Sequence, residues 1–423
     1  MQRKLIDRPD MNPHTPPSES RATSEAAPEP PRIQAPLWLL ALLTFSGTFA
    51  MHIFVPALPR AAQEFGTSAA SMQLTVSFYI LGLAAGQLVY GPLSDRFGRR
   101  PILIVGLLIY TAAGAACAVA PDAQALVASR LLQALGGCAG LVLARAIVRD
   151  TALPAEAARR LALMNLMVTL GPGVAPIIGG AMASAISWRA IFVLLAAFGI
   201  VNLLLAWRLL PETGAKVSHD TTTLLRNYVR LVISPAFLGY AVGGGCATTS
   251  MYAFIASAPF ILVNDLHLDA HEVGFILAVL VSGVWLGSVL TSRLIVRMPI
   301  NRLLVGANAV SVVAAFVFLG AVLQGMLTVP LTVGTMFVFT LGVGVAAPAA
   351  LTQAVSVDPI VVGSASGLYG FTQMTVGAIC TALAGVGPDP ALATALVLAG
   401  SGCLAQLSFW IAARDMRQTA TGA

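Results

Sequence analysis

Charge is the scarcest property of this sequence. Only 10% of the 423 residues are Asp, Glu, Lys or Arg, whereas 57% are hydrophobic and the mean hydropathy is +0.84. Soluble domains carry about 25% charged residues, so this long chain has too little charge to cover a water-facing surface. The composition excludes a soluble enzyme, a nucleic-acid-binding domain, a disordered protein and a secreted disulfide scaffold. It indicates a polytopic membrane protein.

Alternating polarity is also missing from the apolar stretches. They are continuous runs of roughly 20 residues, the length of a membrane-spanning helix, rather than alternating segments of about 10 residues as in a transmembrane barrel. The five cysteines all fall inside these runs without a CxxC pair. This placement predicts small packing residues rather than a metal site or a disulfide. We therefore expect an all-α membrane protein that binds no metal.

Twelve apolar segments can be counted, in two sets of six. Their approximate positions are 36–58, 72–92, 101–120, 125–147, 161–184, 189–210, 234–258, 272–292, 303–323, 328–351, 364–386 and 391–413. The polar stretch 211–233 predicts a linker between two six-helix bundles at 36–210 and 234–413. The proline-rich stretch 1–35 has no apolar period and predicts a disordered tail, and 414–423 is a second tail.

The basic residues are unevenly placed along this pattern. If the chain begins in the cytoplasm, 21 of the 24 Lys and Arg residues lie in or beside cytoplasmic loops and tails, as the positive-inside rule requires. The exceptions are Arg60, Arg130 and Arg189. The net charge of +6 is therefore a topology signal and predicts no nucleic-acid partner. We expect both tails and the linker to be cytoplasmic.

The loop after the second segment has a distinctive order of residues. It reads Gly91-Pro92-Leu93-Ser94-Asp95-Arg96-Phe97-Gly98-Arg99-Arg100-Pro101. The two glycines allow a tight turn or a close approach, and Asp95 and Arg99 are spaced to pair on a helix. A loop that needed only positive charge would not require this order.

This loop resembles the signature loop of the major facilitator superfamily, whose plan is twelve spanning helices in two halves. Further motifs make the chain similar to the bicyclomycin-resistance and CflA-like drug efflux branch of that superfamily. They are Pro56-Ala57-Leu58-Pro59, Arg130 to Gly137, Ala144 to Asp150, Ala175 to Gly180, Trp188-Arg189, Ser257 to Phe260 and Gly363 to Gly367. The resemblance covers the chain after its first tail.

The resemblance implies that the signature loop is a cytoplasmic latch between the halves. Asp95 would face the N-terminus of the eleventh segment, where the helix dipole favours a carboxylate. Arg99 would pair with Asp95 and with Asp150. The remaining latch residues would be Gly91, Arg96, Gly98 and Arg100. A static loop brace is the alternative interpretation.

The fifth segment carries the motif that the resemblance identifies as the antiporter motif. Its residues are Gly171, Pro172, Ala175, Pro176, Gly179 and Gly180. Ala175 stands where the family usually has Gly. Small residues let helices approach closely, and proline kinks a helix. The functional interpretation is a kinked contact that seals the outward side of an exporter, and the alternative is simple helix packing.

Acidic residues are absent from the interior of all twelve segments. Ionisable groups at membrane depth are costly and usually functional, so the two that remain there, Arg130 and His52, are the candidates for proton coupling. The resemblance places Arg130 at the central cavity and links it to that coupling. The alternative is an arginine that snorkels to the outer interface.

His52 stands where many relatives carry an Asp that is tied to protonation and to cationic drug binding. An imidazole exchanges a proton near neutral pH, but its charged form is positive. We therefore expect a neutral, zwitterionic or anionic cargo, because no acid is present to pair with a permanent cation. A hydrogen-bonded packing histidine is the alternative.

Seven polar side chains within the segments are candidates for lining the substrate cavity. Each of them could equally form a helix–helix hydrogen bond. They are Tyr79, Gln87, Gln133, Asn165, Tyr240, Tyr252 and Gln373.

The resemblance implies a monomeric transporter of the bacterial inner membrane that exports small antibiotic-like compounds in exchange for protons by alternating access. The sequence has no Gly-x-x-x-x-Gly-Lys-Ser/Thr signature, so the proton gradient is the expected energy source and no cofactor is expected. An exporter or facilitator of an endogenous metabolite is the alternative. An intramembrane enzyme would need clustered catalytic groups, which the segments lack. A non-transporting receptor or scaffold disagrees with the preserved latch and antiporter motifs.

Overall fold

A computed structural model describes residues 35–152, 154–213, 221–358 and 361–421. All regular elements in these ranges are helical, which confirms the all-α membrane fold. Most of the predicted first tail, 1–34, lies outside the described residues, as does the side chain of Asn165.

Thirteen helices are described, numbered here in chain order. The first six are α1 Leu37–Phe65, α2 Ala69–Phe97, α3 Arg99–Ala118, α4 Ala123–Thr151, α5 Pro154–Ala185 and α6 Trp188–Leu209. The linker contains α7 Thr221–Ile233. The last six are α8 Pro235–Asp265, α9 Ala270–Leu294, α10 Ile300–Leu323, α11 Val329–Ser356, α12 Val362–Ala384 and α13 Pro390–Thr421.

Ten of these helices are long and apolar enough over their described residues to cross a membrane. The other two predicted segments fall on α5 and α12, of which α5 contributes a described apolar helix at Leu170–Ala185. The pattern is consistent with twelve spans. The linker helix α7 was not predicted, because its 13 residues are too short and too polar to register as a membrane segment.

Polar side chains fix where several helices begin. Ser68, Asp122, Ser187 and Ser234 each accept a hydrogen bond from a backbone N–H of the first turn of α2, α4, α6 and α8 respectively. These bonds satisfy donors that have no partner within the helix. Polar residues between apolar runs therefore set the boundary at which each of these helices begins.

Two of the helices, α1 and α8, are not continuous α-helices. In α1 a single turn at Val55–Ala57, containing Pro56, separates Leu37–Ile53 from Leu58–Phe65. In α8 the helix is broken at Ser250 and ends in a π-helical turn at Ile261–Asp265. Such irregularities occur mostly at functional positions.

Small residues bring α4 into close contact with its neighbours. Gly136 meets the backbone of α3 at Tyr110, Gly137 meets Gly47 of α1, and Gly140 meets the carbonyl of Leu43 on α1. Membrane helices use small residues in this way because lipid provides no hydrophobic force to press them together. The N-terminal helices therefore pack around α4, which also carries Arg130.

Contacts also join the first six helices to the last six. Along its length α2 packs against α12, and α5 packs against α9. These two pairs position the candidate site residues described below.

We predict that Gly140→Ala destabilises the protein by about 1–3 kcal/mol, because the added methyl group would overlap the Leu43 carbonyl. The matched control is Gly334→Ala in α11, where a Cβ would meet nothing within 4 Å and helix propensity favours alanine by up to about 1 kcal/mol. The measurement is the midpoint of thermal unfolding in detergent, followed by size-exclusion chromatography. Equal midpoints for the two variants would contradict the packing argument.

Candidate functional site

The signature loop lies at one end of the bundle, where α2 ends and α3 begins, which we call the basic end. There the Arg99 guanidinium lies between two carboxylates. Its Nη1 is 2.5 Å from Oδ1 of Asp95, and its Nε is 2.9 Å from Oδ2 of Asp150. The same Nη1 donates to the Ser94 hydroxyl at 2.6 Å. Arg99 therefore joins the ends of α2 and α4.

A carboxylate that the sequence analysis missed completes this corner. Glu212, just after α6, accepts hydrogen bonds from the backbone N–H groups of Arg99 at 2.9 Å and Arg100 at 3.3 Å. It therefore sits at the N-terminus of α3, where the helix dipole favours negative charge. Gly98 has φ +99°, and a Cβ there would strike the same carboxylate. An acid among otherwise basic loops was the signal available in the sequence.

The other latch candidates have different surroundings. Arg100 donates from Nη2 to the Trp207 carbonyl at 2.6 Å and so ties α3 to the end of α6. The Arg96 guanidinium lies 5.2 Å from the ring centre of Phe97. Gly91 borders open space, where a Cβ would meet nothing within 4 Å. The expected close approach at Gly91 is therefore not present in this conformation.

A cavity of about 570 Å³ opens at the basic end between the two sets of helices. Its walls come from α2, α4, α5, α7, α11 and α12. The polar and charged side chains in those walls are Gln87, Asp95, Arg145, Arg149, Tyr228, Ser364 and Ser366. Gln87 is one of the predicted cavity residues, whereas the two arginines are predicted as cytoplasmic charges within the motif Ala144 to Asp150 and not as cavity residues.

Asp95 and the first turn of α12 both line this cavity. Over the described residues, Asp95 pairs with Arg99 and makes no hydrogen bond to that turn. The expected contact between Asp95 and the eleventh segment is therefore not formed here, because the two groups stand on the border of an open space.

The antiporter motif lies towards the opposite end of the bundle, where it packs closely. A Cβ at Gly179 would overlap the Ile53 carbonyl of α1, and one at Gly180 would overlap the Ala270 carbonyl of α9. From the other side, Gly274 of α9 sits against the Pro176 carbonyl. The motif thus joins α5 to one helix of its own set and to one helix of the other set.

The remaining motif residues extend this contact along α5. Ala175 is fully buried, and Gly171 is close to the Thr48 hydroxyl and the Phe45 ring of α1. Pro172 and Pro176 both lie inside α5. The motif therefore provides a continuous small-residue face against α1.

A buried hydrogen bond also joins the two sets of helices towards this opposite end. Gln73 of α2 donates from Nε2 to the Ser257 hydroxyl of α8 at 3.1 Å, and both side chains are fully buried. Gly385, just after α12, approaches the Gln73 amide so closely that a Cβ would lie 2.8 Å from Oε1. Neither Gln73 nor its hydrogen bond to Ser257 is predicted from the sequence.

Two arginines at the opposite end have local hydrogen-bond partners. Arg189 donates to Oε1 of Glu64 at 2.9 Å, and the indole of Trp188 donates to the same carboxylate. Arg60 donates to the Ala183 carbonyl at the end of α5. Their exception to the positive-inside pattern therefore has a structural explanation.

Arg130 is fully buried in α4 and does not snorkel. Its Nη1 donates to the Ala50 carbonyl of α1 at 3.1 Å and to Oε1 of Gln133 at 2.7 Å. The guanidinium carbon lies 4.0 Å from the ring centre of Tyr79, with Phe54 and Phe192 rings within 6 Å. Among the described residues no carboxylate pairs with it. Backbone dipole, amide and aromatic faces take the place of a counter-ion.

His52 is 3% exposed on α1, two residues beyond the carbonyl that holds Arg130. Its Nδ1 donates to the Thr48 carbonyl at 2.9 Å, which leaves Nε2 of the neutral ring as the acceptor. The ring centre is 6.1 Å from that of Tyr252 on α8. His52 therefore faces the last six helices at the level of the break in α8.

The structure separates the expected cavity residues into different roles. Tyr79 and Gln133 are fully buried around Arg130, and the Tyr79 hydroxyl donates to the Gly47 carbonyl at 2.8 Å. Tyr240 is buried beside Phe409, with ring centres 6.4 Å apart. None of these three side chains reaches the cavity in this conformation, because each is enclosed by neighbouring helices. A pattern that is apolar all round does not specify how a helix is rotated.

The other candidates lie between the two sets of helices. Gln87 lines the cavity, and its Nε2 is 3.5 Å from the Gly370 carbonyl of α12. Gln373 donates to the Thr248 hydroxyl at 2.7 Å, and Tyr252 lies beside His52. The backbone of Asn165 belongs to α5, but its side chain lies outside the described residues.

Comparison with known proteins places these features in a family. The model of the Major Facilitator Superfamily matches residues 40–382. A bicyclomycin resistance protein homolog from Haemophilus influenzae is 24% identical over 347 residues, covering 81% of this chain and 87% of that protein. A chloramphenicol resistance protein from Pseudomonas aeruginosa is 32% identical over 269 residues, covering 63% of this chain and 62% of that protein.

The fold has a close counterpart among solved structures. A bacterial homolog of the human lysosomal transporter Spinster, in an inward-facing and unoccupied conformation, matches with a TM-score of 0.73 and 16% identity. The match covers 90% of this chain and 97% of that one. Together with the family match and the drug-resistance relatives, it confirms the resemblance drawn from the motifs: the chain is a multi-pass membrane transporter that belongs to the major facilitator superfamily.

Proposed function

We propose that this protein is a proton-coupled exporter of small antibiotic-like compounds in the bacterial inner membrane. The two moving units are the bundles at 36–210 and 234–413, and the basic end, with both chain termini, is cytoplasmic. The protein works as a monomer by alternating access, and the proton gradient supplies the energy without a cofactor. The names of the two drug-resistance relatives support this assignment.

One observation carries the proposal, namely the difference between the two ends of the bundle. At the basic end the helix sets are separated by a cavity of about 570 Å³, and the Arg99 cluster stands at its border. Towards the opposite end the antiporter motif and the Gln73–Ser257 bond hold the sets together. A closed outer end and an open cytoplasmic end suit a transporter that is ready to load cargo from the cytoplasm.

The proposed coupling uses His52 as the proton carrier and Arg130 as the fixed charge that responds to it. Cargo that enters from the cytoplasmic side favours loss of the His52 proton, and reprotonation from outside releases the cargo. His52 suits this task because it lies on α1 and faces the broken helix α8, beside Tyr252. A change of charge at His52 therefore acts on both sets of helices.

The charges around the cavity support a cargo that carries no permanent positive charge. Arg145 and Arg149 line its wall, and Asp95, the one acid among its described lining residues, is engaged by Arg99. A quaternary cation entering this space would meet no available carboxylate among those residues, so its desolvation would be uncompensated. A neutral, zwitterionic or anionic compound does not meet this penalty.

We expect His52→Ala to abolish the acceleration of efflux by an imposed proton gradient while the protein remains folded. The reason is that alanine cannot bind a proton and carry it between the two sides of the membrane. The measurement is the initial rate of cargo efflux from proteoliposomes with and without a pH gradient. His271→Ala, at an exposed position of α9, is the matched control and should keep the full response. Efflux by His52→Ala that still follows the gradient would refute the assignment.

We expect His52→Asp to gain export of a quaternary ammonium compound that the wild type does not move. An aspartate at this position would provide the missing counter-ion. The test is the susceptibility of an efflux-deficient host to cationic, neutral and anionic antibiotics, with each variant expressed to the same level. Strong export of the quaternary compound by both wild type and His52→Ala would contradict the charge argument. A wild type that protects against none of the antibiotics would favour the metabolite exporter.

We expect Arg99→Gln to slow efflux roughly tenfold, equivalent to about 1.4 kcal/mol, because it disconnects the ends of α2 and α4 at the cavity border. The control is Arg96→Gln, which removes an equal charge from the same loop but breaks no ion pair with a described residue. Initial efflux rates at equal amounts of folded protein provide the comparison. Equal slowing by both variants would mean that the loop contributes only its positive charge.

A further inference from the structure

The linker helix α7 presents an exposed apolar face. Leu225, Val229, Val232 and Ile233 follow helical spacing on one side, and their exposed fractions run from 47% to 73%. Contiguous aliphatic groups of this kind are unfavourable in water. The face therefore requires an apolar environment that the described part of the chain does not provide.

The opposite face of α7 is fixed to the transporter. Leu231 is 1% exposed in the core around the start of α8, and Tyr228 lines the cavity. Arg230 donates from Nε to Oδ2 of the buried Asp358, just after α11, at 2.9 Å. The helix is thus held in one orientation at the basic end, with its apolar face directed away from the protein.

Tryptophans mark the depth of the membrane interface at this end. Trp38 in the first turn of α1, Trp207 in the last turn of α6 and Trp410 in the second half of α13 are each more than half exposed. Trp410 is covered by the Arg414 guanidinium, 3.4 Å from its ring centre. Exposed tryptophan beside arginine at helix ends is typical of the headgroup region. The helix α7 is the next described helix after α6 and leads directly into α8.

A positive charge lies at the edge of the apolar face of α7. Arg226 is exposed one residue beyond Leu225, whereas Arg230, one turn later, pairs with Asp358 on the side held by the transporter. No acid occurs within Thr221–Ile233. An apolar face bordered by positive charge matches the surface of a bilayer that contains anionic phospholipid. At such a surface the aliphatic side chains contact the acyl chains and the guanidinium contacts the headgroups.

We propose that α7 is an interfacial helix that inserts its apolar face into the cytoplasmic leaflet and binds anionic phospholipid headgroups through Arg226. Because its other face carries Tyr228 at the cavity and Arg230 on Asp358, this binding places a lipid-contacting element at the mouth of the cavity. The lipid contact of α7 requires only that the chain lies in a membrane. It does not depend on the direction of transport or on the cargo proposed above.

The test uses the full chain with an environment-sensitive fluorophore on Leu225→Cys in a Cys403→Ser background, since the other four cysteines are buried. The protein is placed in nanodiscs of phosphatidylcholine with or without phosphatidylglycerol. We expect blue-shifted emission, at least twofold stronger quenching by spin-labelled lipid than by aqueous iodide, and a further fall in iodide quenching when phosphatidylglycerol is present. A label on Val296→Cys, in the 86% exposed position after α9, should show the opposite preference.

A second pair of variants tests the role of the charge. Arg226→Gln should remove the effect of phosphatidylglycerol on iodide quenching, whereas Arg293→Gln, at the same end of the bundle, should leave it unchanged. Iodide quenching at position 225 as strong as at position 296 would overturn insertion. Equal effects of the two arginine variants would overturn specific headgroup binding. A shielded label that coincides with dimeric particles would mean that a second copy covers the face, and would also overturn the proposal.

Discussion

A bilayer offers no water to a charged group, and this constraint organises the whole molecule. In the part of the chain that the structure describes, charges lie at the two ends, where carboxylates, carbonyls or helix N-termini receive them: Arg99 between two acids, Glu212 at the start of α3, Arg189 on Glu64. Arg130 is the exception, fully buried and held by a carbonyl, an amide and an aromatic face. Keeping an arginine there without an acid is costly, and that cost is the reason we propose a functional role for this position.

The same constraint gives the two ends of the bundle different kinds of contact. Where charges are few, the helix sets meet through glycines such as Gly180 and Gly274, whose close fit depends on shape alone. Where charges are many, a polar cavity separates the sets, and the ion pairs of Arg99 lie within the first set. Alternating access requires that each end have two stable states.

The sequence predicted what depends on hydropathy and spacing. The positions of the apolar segments and the clustering of basic loops follow from local patterns, and the family resemblance identified Arg99, Asp150 and the small residues of α5. Helix rotation does not follow from such patterns: Tyr79 and Gln133, which we expect at the cavity, enclose Arg130 in this conformation. A helix that is apolar on every side has no periodic signal for its inner face. Glu212 and α7 were missed because their roles arise from contacts distant in sequence.

Because position 52 carries a histidine instead of an acid, the charge of the cargo decides whether its binding favours loss or retention of the proton. In the proposed cycle, bound cargo must disfavour the protonated carrier. An acid carrier achieves this with a cation, which replaces the proton electrostatically. Protonated His52 is positive and lies two residues from the carbonyl that holds Arg130. A cationic cargo would therefore be repelled by both His52 and Arg130. An anionic cargo would stabilise the protonated form of His52 instead of displacing its proton. A neutral or zwitterionic cargo, competing for space beside His52 and Tyr252, is therefore the kind that antiport on this scaffold favours most.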